Sequence, residues 1–349
     1  MLTPLSWLYR AATQLRNELY DRKLFKSARF DIPIISIGNL SVGGTGKSPH
    51  TEYLIQLLQY VYQVATLSRG YGRKSHGFVL ADHTATAQTL GDEPMLFKVK
   101  YPDTTVAVAE ERLTGIPRLL QENPAIDIIL LDDAYQHRAV RAGLSILLTE
   151  YDSPFTRDAV LPLGWLRESP SQYHRADIII VTKCPPLITG MDKLKLKGEI
   201  NPYPYQHVYF STIDYGDWYP LFKEQTAPIA SNPYLLLVTG IAKNEQIVKY
   251  LSDKAENVLV STYRDHHYFD IYDLENIRET YKNINADNKV IITTEKDAVR
   301  FWEHKTWFLE NNIPIFVLPI KVRFMDGDAE LFNADILKYI EITSAKQHG

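Results

Sequence analysis

The sequence predicts an α/β protein built on a doubly wound parallel sheet, with a second, smaller α/β domain after it. Three observations carry this. Short β-branched apolar runs alternate with helix-like segments from Ile32 onward, the alternation breaks at Cys184-Pro185-Pro186, and it resumes at Tyr234. The 349 residues also exceed what one ordinary core organises, at roughly 100–200 residues per domain.

In the first series, Ile34–Ile37, Val64–Leu67, Val106–Val108, Ile128–Leu131, Ser145–Leu148 and Ile178–Val181 read as strands buried on both faces. Pro49 to Tyr60 and Glu110 to Gln121 are the clearest helices between them. Strand–helix alternation implies right-handed crossovers and a parallel sheet covered on both sides. From Cys184 to about Pro228 the text is irregular and aromatic; Tyr234–Val238, Asn257–Val260, Lys289–Thr293 and Ile313–Leu318 then form a second series. The expected division is 1–30 as a basic amphipathic segment, 31–225 as a nucleotide-binding domain and 226–349 as a C-terminal lobe.

Residues 1–30 carry six basic side chains (Arg10, Arg16, Arg22, Lys23, Lys26, Arg29) against Glu18 and Asp21, in a chain of net charge −4. Leu5, Leu8, Ala12, Leu15 and Leu19 make one apolar stripe on a helix, with Trp7 and Tyr20 placed to sit at an interface. Two readings stand: a helix packed on the protein's own core, or one lying on a membrane surface.

Composition narrows the class. With 45% hydrophobic and 23% charged residues the chain is globular in type, and its acidic balance argues against a nucleic-acid partner. Cys184 is the single cysteine, so no intramolecular disulfide or cysteine-cluster metal site is possible, which fits a reducing, cytoplasmic compartment. No run approaches the ~18 apolar residues of a spanning helix, and no signal-peptide cleavage pattern follows the start. The expectation is a chain that neither spans a membrane nor is secreted.

Residues 34–48 run from an apolar strand through a glycine-rich turn into a helix opened by Pro49, the context a Walker A loop requires. Gly43, Gly44, Thr45 and Gly46 let backbone N–H groups converge on phosphates; Lys47 reaches the β and γ groups and Ser48 can ligate Mg²⁺. Ser41 replaces the usual first glycine. About 85 residues on, Ile128–Leu131 ends in Asp132 and Asp133, as a Walker B strand does. Such a pair can also cap a helix, but with the phosphate loop upstream the metal role is favoured. Together these make the first domain P-loop NTPase-like. Thr182-Lys183-Cys184 lacks the aspartate of a guanine-specifying motif, so ATP is preferred over GTP.

Several further motifs follow in order: Leu67-Ser68-Arg69-Gly70-Tyr71-Gly72-Arg73, Gly91-Asp92-Glu93-Pro94, Asp132-Asp133-Ala134-Tyr135-Gln136-His137-Arg138 and Leu161 through Glu168, then Asp265-His266-His267 and Thr293 through Val299. With the phosphate loop, they make nearly the whole chain resemble the tetraacyldisaccharide 4'-kinases of lipid A synthesis. Ala134-Tyr135 stands where Gly-Phe is commoner, and Trp165 where proline is usual, which bears on fine acceptor preference. The resemblance implies ATP- and Mg²⁺-dependent phosphorylation of the 4'-hydroxyl of a tetraacylated disaccharide 1-phosphate. It also implies Asp92 and His266 as a cross-lobe proton-accepting pair, a basic N-terminal interfacial segment on the cytoplasmic face of a bacterial inner membrane, and no obligate protein partner. Without it, Asp92 reads as a loop or cap residue and His266 as a surface histidine. Glu93 can assist the metal. Arg69, Arg73, Arg138 and Arg167 follow strands at the ligand-binding edge, Arg69 and Arg167 being favoured for phosphate groups of the substrates. The rival from another class is a P-loop GTPase or ATPase switch acting on a protein partner.

Overall fold

A computed structural model describes residues 2–225, 229, 231–241 and 244–345. The elements of the first lobe are α1 (Leu2–Asp21), β1 (Ile34–Asn39), α2 (Lys47–Leu58), β2 (Val64–Ser68), β3 (Val79–Leu80), α3 (Ala87–Leu90), α4 (Asp92–Lys100), β4 (Thr105–Val108), α5 (Arg112–Glu122), β5 (Ile128–Asp132), β6 (Leu144–Glu150), β7 (Ile178–Thr182), α6 (Gly190–Ile200) and β8 (His207–Tyr215). The chain continues through β9 (Tyr219–Pro220), β10 (Tyr234–Thr239), α7 (Glu245–Ser252), β11 (Asn257–Thr262), α8 (Ile271–Asn283), β12 (Lys289–Thr294), α9 (Glu295–Phe301), α10 (Lys305–Glu310), β13 (Ile315–Leu318), β14 (Ile320–Phe324) and α11 (Asp328–Ala345).

The large sheet runs β14-β8-β7-β6-β1-β5-β2-β4-β3, parallel from β8 to β4 with antiparallel strands at both edges. Its central strands are mainly apolar and buried on both faces because alternate residues enter different cores. Ile35, Ile37, Ile128, Leu130, Ile178 and Ile180 meet α2 and α11 on one face, while Ile34, Ile129, Leu131, Ile179 and Val181 fill clusters on the other. All six expected strands of this series are present. Helix α2 starts at Lys47, two residues before the expected Pro49, because Gly46 in a left-handed conformation (φ 86°) caps it and Pro49 fits its first turn.

Two expectations need correcting. The irregular stretch after Cys184 contains α6 and β8, and β8 extends the large sheet beside β7. Nor does the segment 226–349 stay in one lobe. β10 to β13 form the second sheet, ordered β11-β10-β12-β13-β9, but β14 pairs with β8, and Phe332, Ile336 and Ile340 of α11 are buried in the core of the large sheet. The chain crosses between lobes at 215–219 and 318–320, where Gly216 N–H donates to Pro319 O (3.0 Å) and a Cβ on Gly216 would lie 2.9 Å from the Pro319 ring.

Helix α1 is attached through its polar face. Ser6 Oγ donates to Val160 O (2.7 Å), Arg16 to Gln136 O (3.0 Å), and Arg138 donates to Asn17 O (2.9 Å) and pairs with Asp21. The apolar stripe faces outward: Trp7 is 74% and Leu8 69% exposed, and Leu5 and Leu15 are exposed too. The helix is therefore not packed on the core by its leucines.

Beside the crossing, Lys100 at the end of α4 bridges Glu52 of α2 and Glu295 of α9, with Tyr101 donating to Glu52 (3.0 Å) and Ile320 N–H to Glu295 (3.2 Å). One ammonium serves two buried carboxylates, so burial pushes the Glu52 carboxyl from 4.5 up to about 7 while Lys100 stays charged. Lys100→Met is expected to lower stability by about 3–5 kcal/mol, as breaking a buried pair does, readable as a fall in Tm. The folded value of Glu52 lies above its unfolded one. Its contribution is therefore complete below about pH 4.5 and lost as pH rises through about 7.

Candidate active site

The C-terminal edges of the two sheets face each other, which is where open α/β sheets take ligands. From the large sheet, β1 delivers the phosphate loop, β5 delivers Asp132 and Asp133, and β2 delivers Arg69. From the second, β11 leads to His266 and β12 to α9.

Gly43 (φ 123°) and Gly44 stand clear, with nothing within 4 Å of where a Cβ would be, so the loop's backbone lines an open cradle closed by the N-terminus of α2. The cradle is held from beneath. Thr182 Oγ donates to Thr45 O (2.9 Å), and buried His50 donates from Nδ1 to Gly46 O (2.7 Å) and accepts at Nε2 from Ser211 Oγ (3.0 Å). Burial pulls His50 down to about 4, so its ring is a neutral strut. Thr45 Oγ is buried without a partner at the same loop.

Asp132 is buried at the end of β5 and accepts from Thr51 Oγ (3.1 Å); burial, with repulsion from Glu93 and Asp133, pushes its carboxyl up to about 7. Asp133 follows with φ 45°; burial raises it, but Lys47 (Nζ 3.8 Å away) and Arg167 (2.9 Å) outweigh this and hold it below the usual carboxylate range. Asp132, Asp133 and Glu93 thus gather acidic groups beside the phosphate loop, offset by Lys47 and Arg167, by Arg112 acting on both aspartates and by Lys296 at Glu93. Carboxylate oxygens are the donor type a hard divalent cation takes, but among the described residues no three such side chains converge closely enough to form a metal site on their own. Ser48 lies half-buried at the second position of α2.

Asp92 opens α4 behind Gly91, whose φ of 90° and contact with the Gly70-Tyr71 turn leave no room for a side chain; a Cβ there would lie 2.8 Å from Tyr71 O. Across the lobes, His266 (φ 60°) brings Nδ1 to 2.6 Å from Asp92 Oδ2, while its ring lies 5.0 Å from that of Tyr71. The two residues are thus together, 174 positions apart in the chain.

A third member was not expected. Arg300 of α9 grips Asp92 with Nε to Oδ1 (2.8 Å) and Nη2 to Oδ2, and donates from Nη1 to His267 O (2.6 Å). Both side chains are 2% exposed. Burial raises the Asp92 carboxyl, yet hydrogen bonds from His266 and Arg300 hold it below the usual range. With Asp92 anionic, the short contact requires Nδ1 to carry the imidazole hydrogen, which leaves Nε2 as the basic nitrogen. Lys296, also on α9, links Asp265 (2.7 Å) to Glu93 (3.9 Å). Arg300 follows Val299 directly, at the end of the Thr293–Val299 motif, so the available signal was a basic residue one turn beyond a capped helix start.

Of the four candidate arginines, Arg69 is exposed at the end of β2 with no hydrogen bond or ion pair among the described residues. Arg167 joins Asp133 and Asn39 beside the phosphate loop. Arg73 is tied to Glu110 and Gly77 O, and Arg138 to Asp21 and Asn17, so both hold structure together.

A model of the family described as tetraacyldisaccharide-1-P 4'-kinase matches residues 1–341. Tetraacyldisaccharide 4'-kinase of Phocaeicola vulgatus is 44% identical over 349 residues, 98% of this chain and 95% of that protein. The enzyme of the same name from Flavobacterium psychrophilum is 46% identical, over 97% and 96% of the two chains. A crystal structure of LpxK from Aquifex aeolicus in complex with ATP superposes with a TM-score of 0.71 at 26% identity, covering 97% of each chain. The chain belongs to the tetraacyldisaccharide-1-P 4'-kinase family.

Proposed function

We propose that this chain transfers the γ-phosphoryl group of ATP to the 4'-hydroxyl of a tetraacylated glucosamine disaccharide 1-phosphate, forming the 1,4'-bisphosphate precursor of lipid A. The observation that carries the reading is the facing of a phosphate loop in one lobe by a histidine–carboxylate pair in the cleft, within a chain matched end to end by this family. A nucleotide switch has no use for a base assembled across two lobes, so the GTPase or ATPase alternative is set aside.

In this reading the backbone of Gly43 to Gly46 cradles the ATP phosphates and Lys47 stabilises charge on the group in flight. Ser48, Asp132 and Asp133 would hold Mg²⁺, with Glu93 in support, and the ion would supply charge neutralisation of the phosphates. Arg69, unpartnered at the cleft edge, and Arg167 take phosphate groups of the substrates. His266 accepts the hydroxyl proton at Nε2, Asp92 fixes its tautomer, and Arg300 fixes Asp92. The test is transfer of label from γ-labelled ATP to the tetraacylated disaccharide 1-phosphate in detergent micelles. Labelled lipid is the expected product, and nucleotide hydrolysis with no labelled lipid would end the assignment.

The exposed stripe of α1 with its flanking basic residues suits the anionic cytoplasmic face of an inner membrane, each basic residue near such a surface contributing about 1 kcal/mol. No helix among the described residues is long and apolar enough to cross a bilayer. Removal of residues 1–28 is expected to release the folded protein from anionic vesicles in a sedimentation assay, and added salt to weaken binding of the full chain. Undiminished sedimentation of the truncated protein would show that α1 is not the anchor.

A further inference from the structure

We infer that the hairpin 159–166 is a second lipid-contacting element, which inserts Leu163 and Trp165 into the same anionic bilayer that α1 lies on. The inference rests on the membrane reading of α1 given above. The hairpin is closed by its own backbone: Leu161 N–H donates to Leu166 O (2.9 Å), Leu166 N–H to Ala159 O (2.9 Å) and Leu163 N–H to Val160 O (3.2 Å). The Asp158 carboxylate accepts from Trp165 N–H (3.2 Å), and Gly164 is packed so tightly that a Cβ would lie 2.3 Å from that carboxylate. A turn this fully specified nevertheless holds Leu163 53% and Trp165 67% exposed, beside exposed Pro162. Fixing large apolar side chains in water is unfavourable unless something apolar receives them.

Position and charge choose the receiver. Val160 O, which closes the turn, also accepts from Ser6 Oγ (2.7 Å), and Ser6 stands between exposed Leu5 and Trp7 on α1. The hairpin is therefore fastened to the helix beside its apolar stripe, and Arg10, Lys23, Lys26 and Arg29 stand farther along α1 and just past its end. A tryptophan and leucines bordered by basic side chains match the boundary between headgroups and acyl chains of an anionic bilayer. Contact there reaches the active site directly. Val42 N–H donates to Trp165 O (2.7 Å) and Arg167 N–H to Leu40 O (2.7 Å), so the start of the phosphate loop is bonded to the hairpin.

The test uses the full chain with Cys184→Ala and one new cysteine carrying an environment-sensitive NBD fluorophore: Leu163→Cys at the hairpin, Leu8→Cys on α1 or Tyr272→Cys on the second lobe. With vesicles of phosphatidylethanolamine and phosphatidylglycerol, the first two labels should shift to the blue and gain intensity while the third does not. In parallel, Leu163→Asp and Trp165→Asp, in the otherwise unaltered chain, should each weaken sedimentation with these vesicles by about tenfold or more at unchanged Tm. A shift at Leu8 with none at Leu163, or aspartate variants that sediment normally, would overturn the hairpin's role and leave α1 as the anchor. Absence of any shift or sedimentation would remove the membrane reading of α1 and this inference with it. A Leu163 shift that appears without vesicles and grows with protein concentration would assign the patch to a second copy of the chain instead.

Discussion

Lys47→Ala is expected to reduce phosphoryl transfer by about 10²–10³-fold or more, the scale of losing one preorganised charge stabiliser, with little change in Tm. Both halves follow from the geometry. The lysine is the first residue of α2 and reaches toward the cleft; its nearest anion, Asp133, is 3.8 Å away, too far for a hydrogen bond. Truncation leaves Asp133 still held by Arg167 at 2.9 Å, so no buried carboxylate is stranded. A partly exposed pair of this length contributes about 0–1 kcal/mol. The loss should fall on kcat, because the ammonium matters most as charge spreads over the transferring group. A mutant altered only in KM for ATP would make Lys47 a binding residue, and near-normal turnover would remove the phosphate loop from the mechanism.

The central strands and phosphate loop were legible because each declares itself within a few residues: Ile34 to Ser48 contains a strand, a turn and a helix start, and Ile128 to Asp133 a strand and its acids. Membership of a sheet is not local in this way. β14 reads as Ile320-Lys321-Val322-Arg323-Phe324 whichever lobe it joins, and only its pairing with β8 places it in the first. α6 escaped notice because just Leu196 and Ile200 of its eleven residues are buried, and Gly190 and Gly198 weaken its helical pattern. For α1 the spacing of leucines located the stripe correctly, but a stripe does not say which way it faces. The inward face is marked instead by Ser6 and Asn17, whose partners lie more than 100 residues away. The candidate site divides along the same line. Lys47, Asp132 and Asp133 sit in a local motif, whereas Arg300 acquires its partner only when α9 meets α4 across the cleft.

That meeting makes the last expectation the most exposed to test. Asp92, His266 and Arg300 should behave as one unit, in which Asp92→Ala or His266→Ala lowers kcat by about 10²–10⁴-fold, the range for a positioned general base, with a smaller effect on KM for ATP. Once the imidazole has lost its orienting carboxylate, further damage to the chain of contacts has little left to remove. The Asp92→Ala/His266→Ala double mutant should therefore be scarcely worse than the poorer single one. Arg300→Met should lower kcat in the wild-type background and have little effect in the Asp92→Ala background, because its guanidinium acts through Asp92. Arg300→Lys, which keeps the charge but not the two-pronged grip, should recover only part of the activity. Arg300→Met also strands a buried carboxylate, a loss of about 3–5 kcal/mol, so rates must be compared well below its lowered Tm. The Asp92→Ala/Arg300→Met pair avoids this by removing both charges at once. Losses that multiply across the three positions would mean separate duties, with Asp92 serving the metal and His266 only seating the lipid. A His266→Ala enzyme with unchanged kcat and altered lipid KM would likewise separate the histidine from proton transfer, while leaving the phosphate loop and the kinase chemistry intact.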